Sequence, residues 1–102
     1  MQVEKTLKII KELAEEILTL ETVNRVKNYS VIKQLLDDLR SEGEIKQIPL
    51  GPYKVYAATL LTHCRVMAGL EADDGHDERQ HLRWIYAELD KLRSVHCFNV
   101  ST

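Results

Sequence analysis

Cysteine is scarce in this chain. Cys64 and Cys97 are its two in 102 residues, too few for a disulfide scaffold and suited to a reducing compartment, where both read as small buried or half-exposed thiols. Long apolar runs are absent as well. No apolar span is long enough to cross a bilayer, and the opening MQVEKTLKII alternates charge with apolar residues instead of building a signal-peptide core. The expectation is a soluble, unexported, cytoplasmic chain with no membrane partner. Excess positive charge is also missing. The net charge is -2, whereas proteins that coat nucleic acid indiscriminately depend on Lys and Arg to neutralise phosphate. No internal repeat or low-complexity segment is visible.

Signatures of catalysis and of metal binding are lacking too. No Ser, Cys or Lys stands in a recognisable activating motif for a nucleophile, so no catalytic residue and no enzyme activity are expected. Asp73, Asp74, Asp77 and Glu78 lack the spacing of a calcium-binding EF-hand, and a solvated acidic loop is a poor setting for a general acid. His63-Cys64 and His96-Cys97, with His76 and His81, offer soft ligands, but not as the close pairs of a zinc finger or ribbon. Read plainly, Cys64 belongs to an apolar stripe, His96 to a helical seam, and His76 and His81 to the neighbourhood of an acidic loop. No metal and no cofactor are expected.

What is present is a balanced composition, 44% hydrophobic and 29% charged, which fits one compact domain over 1–102. Val3, Leu7, Ile10, Leu13 and Ile17 recur at helical spacing and predict a first helix. Thr19 or Thr22 is able to cap a short second helix through Val23 and Val26, interrupted at Asn28-Tyr29-Ser30. Ser30 then serves as N-cap for a third helix from Val31 to about Glu42, carrying Ile32, Leu35 or Leu36, and Leu39 inward and stopped by Gly43. Beyond it, Ile45, Ile48 and Leu50 lead into Gly51-Pro52, and Tyr53, Val55 and Ala57 alternate with Lys54, Tyr56 and Ala58, which predicts a small two-stranded ribbon. Thr59 to Leu70 reads as a fourth helix or a strand running into one. Glu71 to Glu78 reads as an acidic loop, and Leu82, Ile85, Leu89, Leu92 and His96 form the heptad-like seam of a terminal helix over about Asp77 to Val95.

Charge is unevenly spread. Residues 22–36 carry Arg25, Lys27 and Lys33 with no acid, and residues 45–70 carry Lys46, Lys54 and Arg65 with no acid.

Helix, short helix, a longer helix ending LxxLxxEGxI, then a turn and the strand-like YKVYAAT: this order resembles the winged helix-turn-helix of bacterial and phage-type transcriptional regulators, over about Leu7 to Thr59. The resemblance implies a mainly α fold, a winged helix-turn-helix with a small two-stranded β-wing, its core in 1–59, and additional C-terminal helices in 60–102. It further implies sequence-specific binding of double-stranded DNA, as a homodimer. Lys33 and Gln34, with Tyr29 and Ser30, would face the major groove, where Gln suits adenine and Lys suits guanine or phosphate. Lys46, Gln47, Tyr53 and Lys54 would sit on the wing, and Arg25 and Lys27 would anchor the DNA backbone. Leu82, Trp84, Ile85, Leu89 and Leu92 would supply the dimer interface. The alternative is a protein-protein interaction adaptor, such as a phage- or plasmid-encoded factor that docks on a host complex through an acidic C-terminal helix.

Overall fold

The computed structural model describes residues 2–72 and 75–97. Four helices make up the architecture: α1 (Val3–Ile17), α2 (Thr22–Ile45), α3 (Gly51–Met67) and α4 (Glu78–Cys97). α1 buries Leu7, Ile10, Ala14 and Ile17 at alternating three- and four-residue steps, as its periodicity predicts. α4 occupies the place expected of the terminal helix. Its start is capped by Asp77, whose Oδ1 accepts the Arg79 backbone N–H at 3.0 Å.

Between these two the structure corrects the sequence-based expectation. No strand occurs among the described residues, so there is no β-wing. The expected short second helix, its turn and the third helix are one continuous 24-residue α2. Residues 22–42 contain no Gly or Pro, and the polar cluster that suggested a turn is satisfied inside a helix. Asn28 Nδ2 donates to the Leu13 carbonyl of α1 at 3.1 Å, and the Ser30 hydroxyl donates back to the Val26 carbonyl at 3.1 Å. Gly43 does not end α2. A Cβ there would lie 2.9 Å from Leu50 Cδ2, so Leu50 packs closely over this position and its side-chain tip would have to shift for a larger residue. The helix ends at Ile45, and just beyond it Gln47 takes the left-handed conformation (φ 60), the Ile48 N–H reaches back to the Gly43 carbonyl (2.9 Å), and the Gln47 N–H reaches the Glu44 carbonyl (3.1 Å). That is a Schellman motif with glutamine at the position usually held by glycine.

The segment expected as the second wing strand is the start of α3. Pro52 lies in its first turn, where a missing N–H costs nothing. Tyr53 and Ala57 share one face under either a two-residue or a helical period. Val55 separates the two: alternation would bury it with them, yet it is 62% exposed. The buried stripe is Tyr53, Leu60, Cys64 and Met67. α3 ends in a second Schellman arrangement, with Gly69 left-handed (φ 79) and the Leu70 N–H on the Arg65 carbonyl at 2.9 Å.

The helices form a ring in which α1 packs on α2, α2 on α3, α3 on α4 and α4 on α1. Every neighbouring pair is antiparallel. Arg93 meets Glu4 (2.6 Å) while Tyr86 meets Glu15 (2.8 Å), and the Tyr53 hydroxyl meets the Leu36 carbonyl while Arg65 approaches Tyr29. The result is an up-down-up-down four-helix bundle. Its core draws on all four helices: Leu7, Ile10, Ile32, Leu39, Leu60, Ile85 and Leu92 are among the fully buried side chains. The expected division between 1–59 and 60–102 falls in the middle of α3 and separates nothing.

Candidate interaction surface

The residues expected to read DNA do not form one surface. Arg25 is a structural clamp near one end of the bundle. Its guanidinium donates to the Leu20 carbonyl (2.8 Å), the Met67 carbonyl (3.0 Å) and Glu78 (2.8 Å), tying the start of α2 to the end of α3 and the start of α4. Tyr53, expected at the tip of a wing, is 1% exposed, its hydroxyl bonded to the Leu36 carbonyl. Burial and the nearby Asp37 raise the pKa of its phenol. Lys46 pairs with Glu42 (3.2 Å), Gln34 bonds Asp38 (2.9 Å), and Gln47 is the left-handed residue of the α2 end. Lys27, Ser30, Lys33 and Lys54 are exposed, and Tyr29 is half-buried against α3.

The expected dimer seam faces inward. Ile85, Leu89 and Leu92 belong to the bundle core, and Leu82 is half-buried against it. Burying these side chains in their own domain leaves them unable to anchor a second copy. Helix α4 is not acidic either: its four Lys and Arg exceed its three Asp and Glu, and the other acids of the C-terminal third, Glu71, Asp73, Asp74 and Asp77, come before it in the sequence.

The histidines and cysteines divide into two groups. Cys64 is fully buried, and its thiol is pushed up to about 12 by that burial, which removes it as a nucleophile. His96 is 3% exposed, packed edge-on to Tyr53 with ring centroids 5.8 Å apart, and among the described residues neither of its ring nitrogens has a hydrogen-bond partner. Burial, reinforced by Lys46 and opposed by Glu42, lowers its pKa and favours the neutral ring. Near the other end, His63 of α3 and His81 of α4 bring their Nδ1 atoms to 3.0 Å, with Trp84 packed on both rings and on His76. Among the described residues, no group of three or more His, Cys, Asp or Glu side chains converges to hold a metal ion. Asp73 and Asp74 of the acidic loop lie outside the described residues, as does the Cys97 side chain.

The surface that sequence reasoning missed runs along the outer side of α3. Its two cations share one edge: Arg65 approaches Tyr29 of α2, and Lys54 occupies the same helical phase. Tyr56 and His63 occupy the opposite edge and meet Lys91 and His81 of α4. Between the edges, Val55, Ala58, Thr59, Thr62 and Val66 face outward with no charge among them. Next to this stripe an apolar cleft of about 500 Å³ opens between the α2–α3 connection and the end of α4, lined by Ile48, Pro49, Pro52, Tyr56 and Val95 with Lys91 and Ser94 at its rim. The signal was present in the sequence: α3 and its approach hold no acid from Ile45 to Leu70. Read as a strand, that stretch suggested proximity to phosphate.

A larger groove of about 720 Å³ between α1 and α4 is mixed in character. Lys5, Lys8 and Lys11 line it with Glu4 and Asp90, and Arg93 is already engaged by both acids. No described helix is long and apolar enough to cross a membrane. No known protein family, characterised protein or solved structure matches the chain.

Proposed function

We propose that this bundle is a protein-interaction module that takes an amphipathic helix of a partner protein along the outer side of α3 and into the adjoining cleft beside α4. The observation that carries the reading is the uncharged face of α3. In a chain with 29% charged residues, the row Val55, Ala58, Thr62, Val66 presents no charge to solvent, and Val55 is 62% exposed. Two antiparallel helices with an apolar cleft beside them offer the kind of groove into which a third helix packs its apolar side chains. Lys91 at the rim suits an acidic residue on the partner, and Lys54 on the far edge suits a second. Catalysis is not part of the proposal, since the buried thiol and the scattered carboxylates give no activated group.

A photo-crosslinking residue at Val55 tests the reading in cells, with the same residue at Ser41 on the outer side of α2 as reference. A discrete crosslinked species from position 55 and none from 41, lost when Ala58→Glu is added, is the expected result. Equal patterns from both positions would refute it. A crosslink of the chain to itself would replace the partner by a second copy. Binding of duplex DNA at low salt that Lys27→Ala with Lys33→Ala abolishes would favour the nucleic-acid reading instead.

A further inference from the structure

We infer that the groove between α1 and α4 is a binding site for a small polyphosphate anion, such as a nucleoside triphosphate. Its volume of about 720 Å³ lies within the range of roughly 300–1,000 Å³ typical of small-molecule sites, and no residue of α3 lines it. It is therefore separate from the surface assigned to a partner helix. Along α1 two links across the seam bracket it: Glu4 to Arg93 at 2.6 Å, and Glu15 to the Tyr86 hydroxyl at 2.8 Å. Lys8 and Lys11 fall between these links, and Lys5 stands beside them.

Charge decides what the groove holds. The chain's net charge is -2, yet four cations, Lys5, Lys8, Lys11 and Arg93, line the groove against two acids, Glu4 and Asp90, a local excess of two. Glu12 and Glu16 of the same helix do not line it. Arg93 takes both lining acids, through Nε to Glu4 and through Nη1 to Asp90 at 2.7 Å. The three lysines are thus left without an ion pair among the described residues, with the Lys11 ammonium resting 5.4 Å from the centroid of the Tyr86 ring. Leu7 and Leu89 form the floor, so the attraction acts across a low-dielectric wall that focuses it into the groove. Steps of three residues set successive lysines about 4.5 Å apart along the axis, about 9 Å from Lys5 to Lys11. A row of point charges of that length matches several negative groups in line, as in linked phosphates. A single planar carboxylate would instead call for an arginine fork, and the arginine here is already occupied.

Titration of the isotope-labelled full chain with adenosine triphosphate at low salt, followed by nuclear magnetic resonance, is expected to give saturable amide shifts at Lys8, Lys11, Tyr86 and Arg93 and none along α3. Inorganic triphosphate should reproduce the pattern, and adenosine should not. Lys8→Gln with Lys11→Gln removes two charge-assisted contacts and should weaken binding by at least about tenfold. Glu4→Gln removes a lining acid and releases Arg93, so it should tighten binding. All three side chains are exposed, which keeps the fold out of the comparison. Shifts that never saturate or that spread equally to Lys27, Lys33 and Lys54, an unchanged affinity in the double variant, weaker binding by Glu4→Gln, or adenosine acting like the triphosphate would each overturn the inference. So would binding to vesicles of anionic phospholipid with no response to either triphosphate.

Discussion

Tyr53 and His96 meet edge to face inside the bundle, one polar group satisfied and the other not. The tyrosine hydroxyl has the Leu36 carbonyl, and losing one such bond costs about 1 kcal/mol. Tyr53→Phe should therefore lower unfolding stability by about that amount in urea melts while leaving the helical circular dichroism unchanged. His96 acts in the opposite sense. In the unfolded chain it titrates near 6.5, and in the fold it titrates lower, so between those values the unfolded state holds the extra proton. The contribution is harmless above about pH 6.5, grows as pH falls through that value, and levels off below the folded pKa. Melts at pH 7.5 and pH 5 should show the loss, and His96→Met should shrink it. The same substitution removes two buried nitrogens without partners and should be neutral or stabilising at pH 7.5, by up to about 1 kcal/mol.

At the scale of the element, the ends of α2 and α3 are similar turns made with different residues. Gly69 adopts its left-handed conformation freely, whereas Gln47 does so against the clash of a Cβ with the following carbonyl, at a cost of about 1 kcal/mol. Gln47→Gly should raise stability by up to about 1 kcal/mol, less whatever the freer unfolded chain takes back, as a shift of the urea midpoint at constant slope. This turn also explains what the sequence concealed. Gly43 in the EG pair has the look of a helix terminator, yet it lies inside α2 with Leu50 packed over it, and the residue that ends the helix is a glutamine. Gly51-Pro52 has the look of a hairpin turn, yet proline is equally at home in the first turn of α3. The apolar periods of α1 and α4 were legible because each runs for several turns. The sequence of α2 suggests two helices because Asn28 and Ser30 suit caps, whereas their actual partners, Leu13 and Val26, are a tertiary contact and a backbone carbonyl one turn back. The meeting of His63 with His81 and Trp84 is hidden for a related reason: it follows from the α3–α4 hairpin, and the first half of α3 has the alternation of a strand.

Across the described residues, each helix packs on its neighbours in sequence, and the α1–α4 seam brings together the first and last helices. That seam carries exposed polar links, Glu4 to Arg93 and Glu15 to Tyr86, over the buried contacts of Leu7 and Leu89. Exposed ion pairs are worth about 0–1 kcal/mol, and deletion of a buried leucine side chain about 2–5. Leu7→Ala should accordingly destabilise the bundle by about 3 kcal/mol, while Glu4→Gln should stay within about 1 kcal/mol, both measurable in one set of urea melts.

The 2.6 Å contact between Glu4 and Arg93 has a topological side as well. It places the beginning of α1 next to the end of α4, so the ring of helices closes on itself although the backbone does not. A short flexible linker from the end of α4 to the start of α1, with new termini cut at the exposed Thr19, would connect the same four helices in the order α2, α3, α4, α1 and leave every packed pair intact. Such a circular permutant would carry its termini beside the Arg25 clamp, at the end of the bundle opposite the apolar cleft.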